Sequence, residues 1–108
     1  MFKKSNRLTK SEFEEYYKIG RKIHLPHLTI VIHKIPTLKT AVVAGKKVAK
    51  SAVRRNTLKR RVNAILRKQV TKDLGVLIII LKPSFNSLPR KTAEEFVQQS
   101  IAQVLKGA

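Results

Sequence analysis

Asn56, Arg60, Asn63 and Arg67 recur at i, i+4, i+7 and i+11. At about 100° per residue they form one ridge along a helix. Guanidinium forks match phosphate oxygens, and the two amides can bond a base edge, a 2′-hydroxyl or a hydrated ion. Arg54, Arg61 and Lys68 make a second basic row beside the ridge. Arg55 and Lys59 lie in the first two turns and project past the edge of the apolar stripe. Free N–H groups at that end of the helix attract phosphate, and Lys46, Lys47 and Lys50 add charge just before it. Lys46 to Lys68 holds ten Lys or Arg and no acid. A solvated helix normally mixes signs to gain i,i+4 pairs, so the unpaired charge implies an external polyanion.

The whole chain carries the same bias. Its 108 residues contain 24 Lys or Arg against six acids, a formal charge of +18. The acids are Glu12, Glu14, Glu15, Asp73, Glu94 and Glu95, so nothing negative falls between Tyr16 and Lys72. Nucleic acid is the first expectation for a partner, and an anionic membrane surface the second. With 43% hydrophobic residues the chain can bury a core, which excludes a disordered basic tail and fits one domain over residues 1–108. The absence of cysteine excludes disulfides and thiolate metal sites. The longest apolar run, Val76 to Leu81, is six residues and too short to span a bilayer. MFKKSNRL has no apolar h-region, so no secretory signal and a cytoplasmic location are expected.

Protein-borne catalysis finds little support. The three histidines are His24, His27 and His33, and His24 and His27 lie at a strand start with no nearby carboxylate to orient them. Glu12 is explained by helix capping, and Glu14 and Glu15 by surface solubility. Gly20, Gly45, Gly75 and Gly107 are isolated, so there is no Gly-rich phosphate loop. No catalytic residue and no protein-bound metal are expected.

The elements that must position the basic residues read as follows. Thr9 to Ile19 is a helix, with a Thr9/Glu12 capping box, Gly20 as its stop and Phe13, Tyr16 and Tyr17 on one face. Leu28 to Ile35 is a strand closed by Pro36, and Thr40 to Ala44 a second, predicted to pair with it as an antiparallel hairpin. Ser51 to Val70 is the longest helix, with Leu58, Val62, Ile65, Leu66 and Val70 within about 140° of arc as its core face. Val76 to Leu81 is a buried strand ended by Pro83. A loop follows to Lys91, then a helix capped by Thr92 and Glu95 with Phe96, Val97, Ile101, Val104 and Leu105 as its stripe. The order α-β-β-α-β-α is that of an α+β two-layer sandwich with a small mixed sheet.

The run Arg55-Asn56-x-x-Lys59-Arg60, preceded by Lys46-Lys47-Val48 and Ala52-Val53, resembles the signature of the bacterial ribonuclease P protein component. Arg7-Leu8 followed by Phe13, Tyr17 and Gly20, the strand ending Leu81-Lys82-Pro83 and the closing amphipathic helix are similar to that family too. The family motif usually continues to an arginine three residues after Lys-Arg, and Asn63 stands there in this chain. The family's first strand often carries an aromatic facing the cleft, whereas Thr29 to His33 has none.

The resemblance implies a ribosomal-protein-S5-domain-2-like fold with a left-handed βαβ crossover through the Ser51–Val70 helix. It implies a monomer in a 1:1 ribonucleoprotein with a catalytic RNA, which uses Mg²⁺ bound mainly by that RNA to remove the 5′ leader of precursor tRNA. It further implies that Phe13 and Tyr17 line a cleft for the single-stranded leader, with Tyr16 and Phe96 left to the core. Three rival readings make different demands. A structural ribosomal protein calls for a basic extension, a DNA-binding module for a helix-turn-helix pair, and a protein-only nuclease for clustered acids.

Overall fold

The computed structural model describes residues 7–70 and 75–107. Met1 to Asn6 and Asp73 lie outside the described residues. The elements are α1 (Lys10–Ile19), β1 (Arg21–His24), β2 (Leu28–His33), β3 (Lys39–Val43), α2 (Ala52–Gln69), β4 (Val76–Leu81) and α3 (Arg90–Gly107). A short 3-10 helix, Pro83–Ser87, joins β4 to α3.

The four strands form one mixed sheet in the order β1-β2-β4-β3. β2 pairs antiparallel with β1 and with β4, whereas β3 runs parallel to β4. The expected hairpin of β2 with β3 is therefore wrong: β4 lies between them. Its six apolar residues take the centre of the sheet, where both faces and both edges are covered. The link from β2 to β3 instead crosses over the start of β4 at Gly75. There φ is +105°, and an added Cβ would sit 2.5 Å from the His33 carbonyl oxygen and 2.9 Å from the Ile35 nitrogen. Only glycine fits both the conformation and the gap. Lys39 N–H donates to the Gly75 carbonyl at 3.1 Å and fastens the crossing.

Strand β1 was not anticipated, since Arg-Lys-Ile-His shows only one apolar residue. Pairing with β2 supplies its structure. The segment after Pro83 is ordered as a 3-10 turn that buries Phe85. Helix α3 begins at Arg90, so Thr92 lies inside its first turn and does not cap it. The Thr9–Glu12 capping box forms in both directions, at 3.2 and 3.0 Å. Gly20 ends α1 with an ordinary negative φ. It is needed because a Cβ there would meet Val31 Cγ1 at 2.5 Å and Tyr16 O at 2.6 Å.

Strand alternation divides the core in two. Leu28 and Ile30 of β2 and Leu77, Ile79 and Leu81 of β4 join Leu58, Val62 and Leu66 of α2 and Val97, Ile101 and Val104 of α3. The other face is smaller: Val31, Val76 and Ile78, covered by Leu8, Phe13 and Tyr16 from α1 and the segment before it. The core stripe predicted for α2 is present, with Ile65 half-buried at its margin.

Candidate nucleic-acid interface

With its stripe buried, α2 is held in one rotation, and the ridge takes a defined place. Ser51 caps the helix by accepting from Arg54 N–H at 3.3 Å. Asn56, Arg60, Asn63 and Arg67 all line one open groove of about 600 Å³, together with Lys59. The facing wall is Thr40, Ala41 and Val42 of the edge strand β3, and Arg7 with Leu8 closes it. A parallel bridge from Arg7 to Thr40, with Leu8 N–H to Thr40 O at 3.4 Å, holds this segment along β3. Arg7 was not among the expected site residues. Its signal was positional, since it precedes the capping Thr9 by two residues.

The groove thus gathers four cations, Arg7, Lys59, Arg60 and Arg67, and two amides, Asn56 and Asn63, with no acid in its lining. Lys46, Lys47 and Lys50 are exposed in the turn before α2. Val48 N–H donates to Gly45 O at 3.0 Å and shapes that turn. Arg55 has a structural role that its sequence position did not announce. Its Nη1 donates to Ala49 O and to Lys50 O, both at 2.9 Å, and so braces the turn against the first turn of α2.

The second row does not lie beside the ridge, as the helical projection had it. Arg54 and Arg61 stand on the opposite flank of α2, against Phe85, Leu88, Arg90 and Glu94. Arg54 Nε donates to Asn86 Oδ1 at 2.8 Å. The two rows lie about 130° apart across the exposed side of α2, one at each margin of the apolar stripe, which the angle count contained but adjacency in sequence obscured.

On α1, the Phe13 and Tyr17 rings stack, with centroids 6.0 Å apart and planes at 18°. Phe13 is half-buried against the smaller core cluster, while Tyr17 remains 41% exposed. Lys22 Nζ sits 4.6 Å from the Tyr17 ring centroid and donates to the Tyr17 carbonyl at 2.6 Å. Tyr16 packs inward, 5.5 Å from the His33 ring. A cross-strand row of His24, Thr29, Ile80 and Val43 shares the sheet face that α1 covers in part. His24 Nδ1 lies 3.3 Å from Thr29 Oγ1.

Both Glu12 oxygens are committed: Oε1 to Thr9 N–H at 3.0 Å, Oε2 to Lys39 Nζ at 2.7 Å. The Lys39 ammonium, and then the Thr9 N–H, hold its carboxyl below the usual carboxylate range. His27 Nδ1 lies 2.9 Å from Ser84 Oγ, and its ring is edge-on to Phe96 at 5.0 Å. Phe96 packs half-buried on the larger core. Among the described residues no group of three or more His, Cys, Asp or Glu is placed to hold a metal ion. Among them, too, no helix is long and apolar enough to cross a membrane.

The family model described as Ribonuclease P matches residues 2–105. The chain is similar to the solved RNase P protein of Staphylococcus aureus, with a TM-score of 0.76 at 20% identity over 95% of this chain and 94% of that one. It is similar also to the RNase P protein of Thermotoga maritima, with a TM-score of 0.71 at 20% identity over 86% of this chain and 96% of that one. At that identity the structural likeness speaks for the fold. A comparison with curated protein sequences gave no match.

Proposed function

The chain belongs to the ribonuclease P protein family, and from that premise we propose that it is the RNA-binding subunit of a ribonuclease P whose RNA cleaves the 5′ leader from precursor tRNA. The observation that carries this reading is the groove. Residues of the family motif, Asn56, Lys59 and Arg60, meet Arg7 from the far end of the family match in one acid-free lining. Such a lining suits a phosphodiester backbone, with the arginines on phosphates and the two Asn on 2′-hydroxyls or base edges. Lys46, Lys47 and Lys50 extend the positive field at the head of α2.

The Phe13–Tyr17 stack serves a different nucleotide. The exposed Tyr17 ring offers a surface to an unpaired leader base, a sequence-tolerant contact worth roughly 1–3 kcal/mol. Catalysis belongs to the RNA, and the Mg²⁺ it needs is held mainly by RNA phosphates. The protein residues bind and orient, as one monomer in a 1:1 cytoplasmic ribonucleoprotein. The test is reconstitution: purified protein added to a bacterial ribonuclease P RNA at low Mg²⁺ restores leader removal. No stimulation would count against the reading, as would specific cleavage by the protein alone that a protein point mutation abolishes.

A further inference from the structure

The two basic rows of α2 cannot serve one nucleic-acid strand. The groove row faces β3, Arg54 and Arg61 line the cleft against α3, and the exposed Lys68 continues their row one heptad further along α2. Resting on the RNA-binding reading above, we propose that the flank carrying Arg54, Arg61 and Lys68 is a second RNA-docking face, so that one protein molecule joins two RNA helical segments.

Three observations support it. The three cations are spaced seven residues apart, which places them about 10.5 Å from one another along a row of about 21 Å on one side of α2. Their charge is not neutralised from α3. Glu94 lies on this flank but is taken by Arg90, at 3.2 Å, and Glu95, exposed on α3, is matched in number by the neighbouring Lys91. Finally, Arg54 is held by the neutral Asn86 amide oxygen rather than by a carboxylate, so its position is fixed while its charge is kept. A cation fixed by a neutral partner loses little freedom on meeting a phosphate. The face has the breadth of a backbone contact, and its one ring, Phe85, is buried, which favours the regular phosphates of a duplex over splayed bases.

The experiment uses two short A-form RNA duplexes of unrelated sequence, one with a donor dye and one with an acceptor. The full-length protein is added at limiting concentration and low salt. Energy transfer, with sedimentation giving one protein per two duplexes, is the expected result. The variant R54Q/R61Q/K68Q should still bind one duplex but no longer join two. The double variant R61Q/K68Q leaves the Arg54–Asn86 bond in place, shows the same loss, and keeps the test readable if the triple variant does not fold. The second binding step should have a salt slope of up to about −3, three contacts at roughly −0.9 each. Wild-type protein that binds one duplex and joins none overturns the second face and leaves the RNA-binding reading intact. A double variant that still joins two duplexes overturns it as well. Wild-type protein that binds neither duplex overturns both.

Discussion

The α2–β3 groove and the α1 face are built from opposite materials. The groove holds cations with no acid among them. On α1 the acid Glu12 is spent on Thr9 and Lys39, and the exposed Tyr17 ring stacks on the half-buried Phe13. One region meets charge with charge and responds to salt. The other meets π-faces and hardly responds. A protein that must hold a structured RNA and also tolerate any leader sequence needs both. The first gives affinity through counterion release; the second gives a contact blind to base identity.

The comparison breaks most completely if the shared scaffold is removed. Ile79 is fully buried at the centre of the sheet. Ile79→Ala should cost about 2–5 kcal/mol of stability, read by denaturant unfolding, and should weaken both regions together. Loss from one region only would mean that they are not mounted on a common core.

Tyr17→Ala sharpens the difference. It should lower affinity for precursor tRNA by roughly 1–3 kcal/mol, leave affinity for mature tRNA unchanged and keep the salt slope of the wild type. Circular dichroism of the mutant should show an intact fold, because the ring is largely outside the core. Equal losses for both tRNAs in a folded mutant would contradict the stacking role.

Arg55→Ala gives a smaller effect of mixed kind. Two carbonyl hydrogen bonds go, so stability should fall by about 1 kcal/mol, with a loss of RNA affinity as the turn carrying Lys46, Lys47 and Lys50 loosens. Thermal melts and RNA titrations of the same preparation would show both. Unchanged melting with a full loss of affinity would make Arg55 a direct RNA contact alone.

The smallest effect is on the pH dependence of stability. Glu12 has a folded pKa below its unfolded one. Its contribution is therefore present above the unfolded value and lost as pH falls through the folded value. Glu12→Gln should lower stability slightly near neutrality, flatten the acid limb of the stability curve, and converge with the wild type once pH has fallen below the folded value. Thermal unfolding across that range checks it, and parallel acid limbs for both proteins would show that the Lys39 pair contributes nothing.

Local patterns were legible in the sequence, and long-range partnership was not. The 3.6-residue stripe of α2 and the Thr9–Glu12 box depend on residues a few positions apart, and the structure contains both. The pairing of β3 with β4 depends on which strand takes the centre of the sheet, and a short link between β2 and β3 pointed to the wrong neighbour. β1 is a strand because β2 is beside it, not because Arg-Lys-Ile-His favours one. The same holds at the candidate site. The ridge could be counted off from Asn56, whereas the wall opposite it, Arg7 and the β3 edge, comes from chain some fifty and fifteen residues away. The part played by Arg55 depends on where the carbonyls of Ala49 and Lys50 point, which residue types do not reveal.

The central claim is that the groove is the electrostatic RNA site. The direct measurement is affinity for ribonuclease P RNA across a potassium chloride series, for wild type and for R60Q/R67Q. The account predicts a steep linear fall of log K with log salt for the wild type. Removing two phosphate contacts should make the slope shallower by nearly two, at about 0.9 per contact on duplex. A wild-type slope shallower than about −2, or a double variant with the wild-type slope, would contradict it.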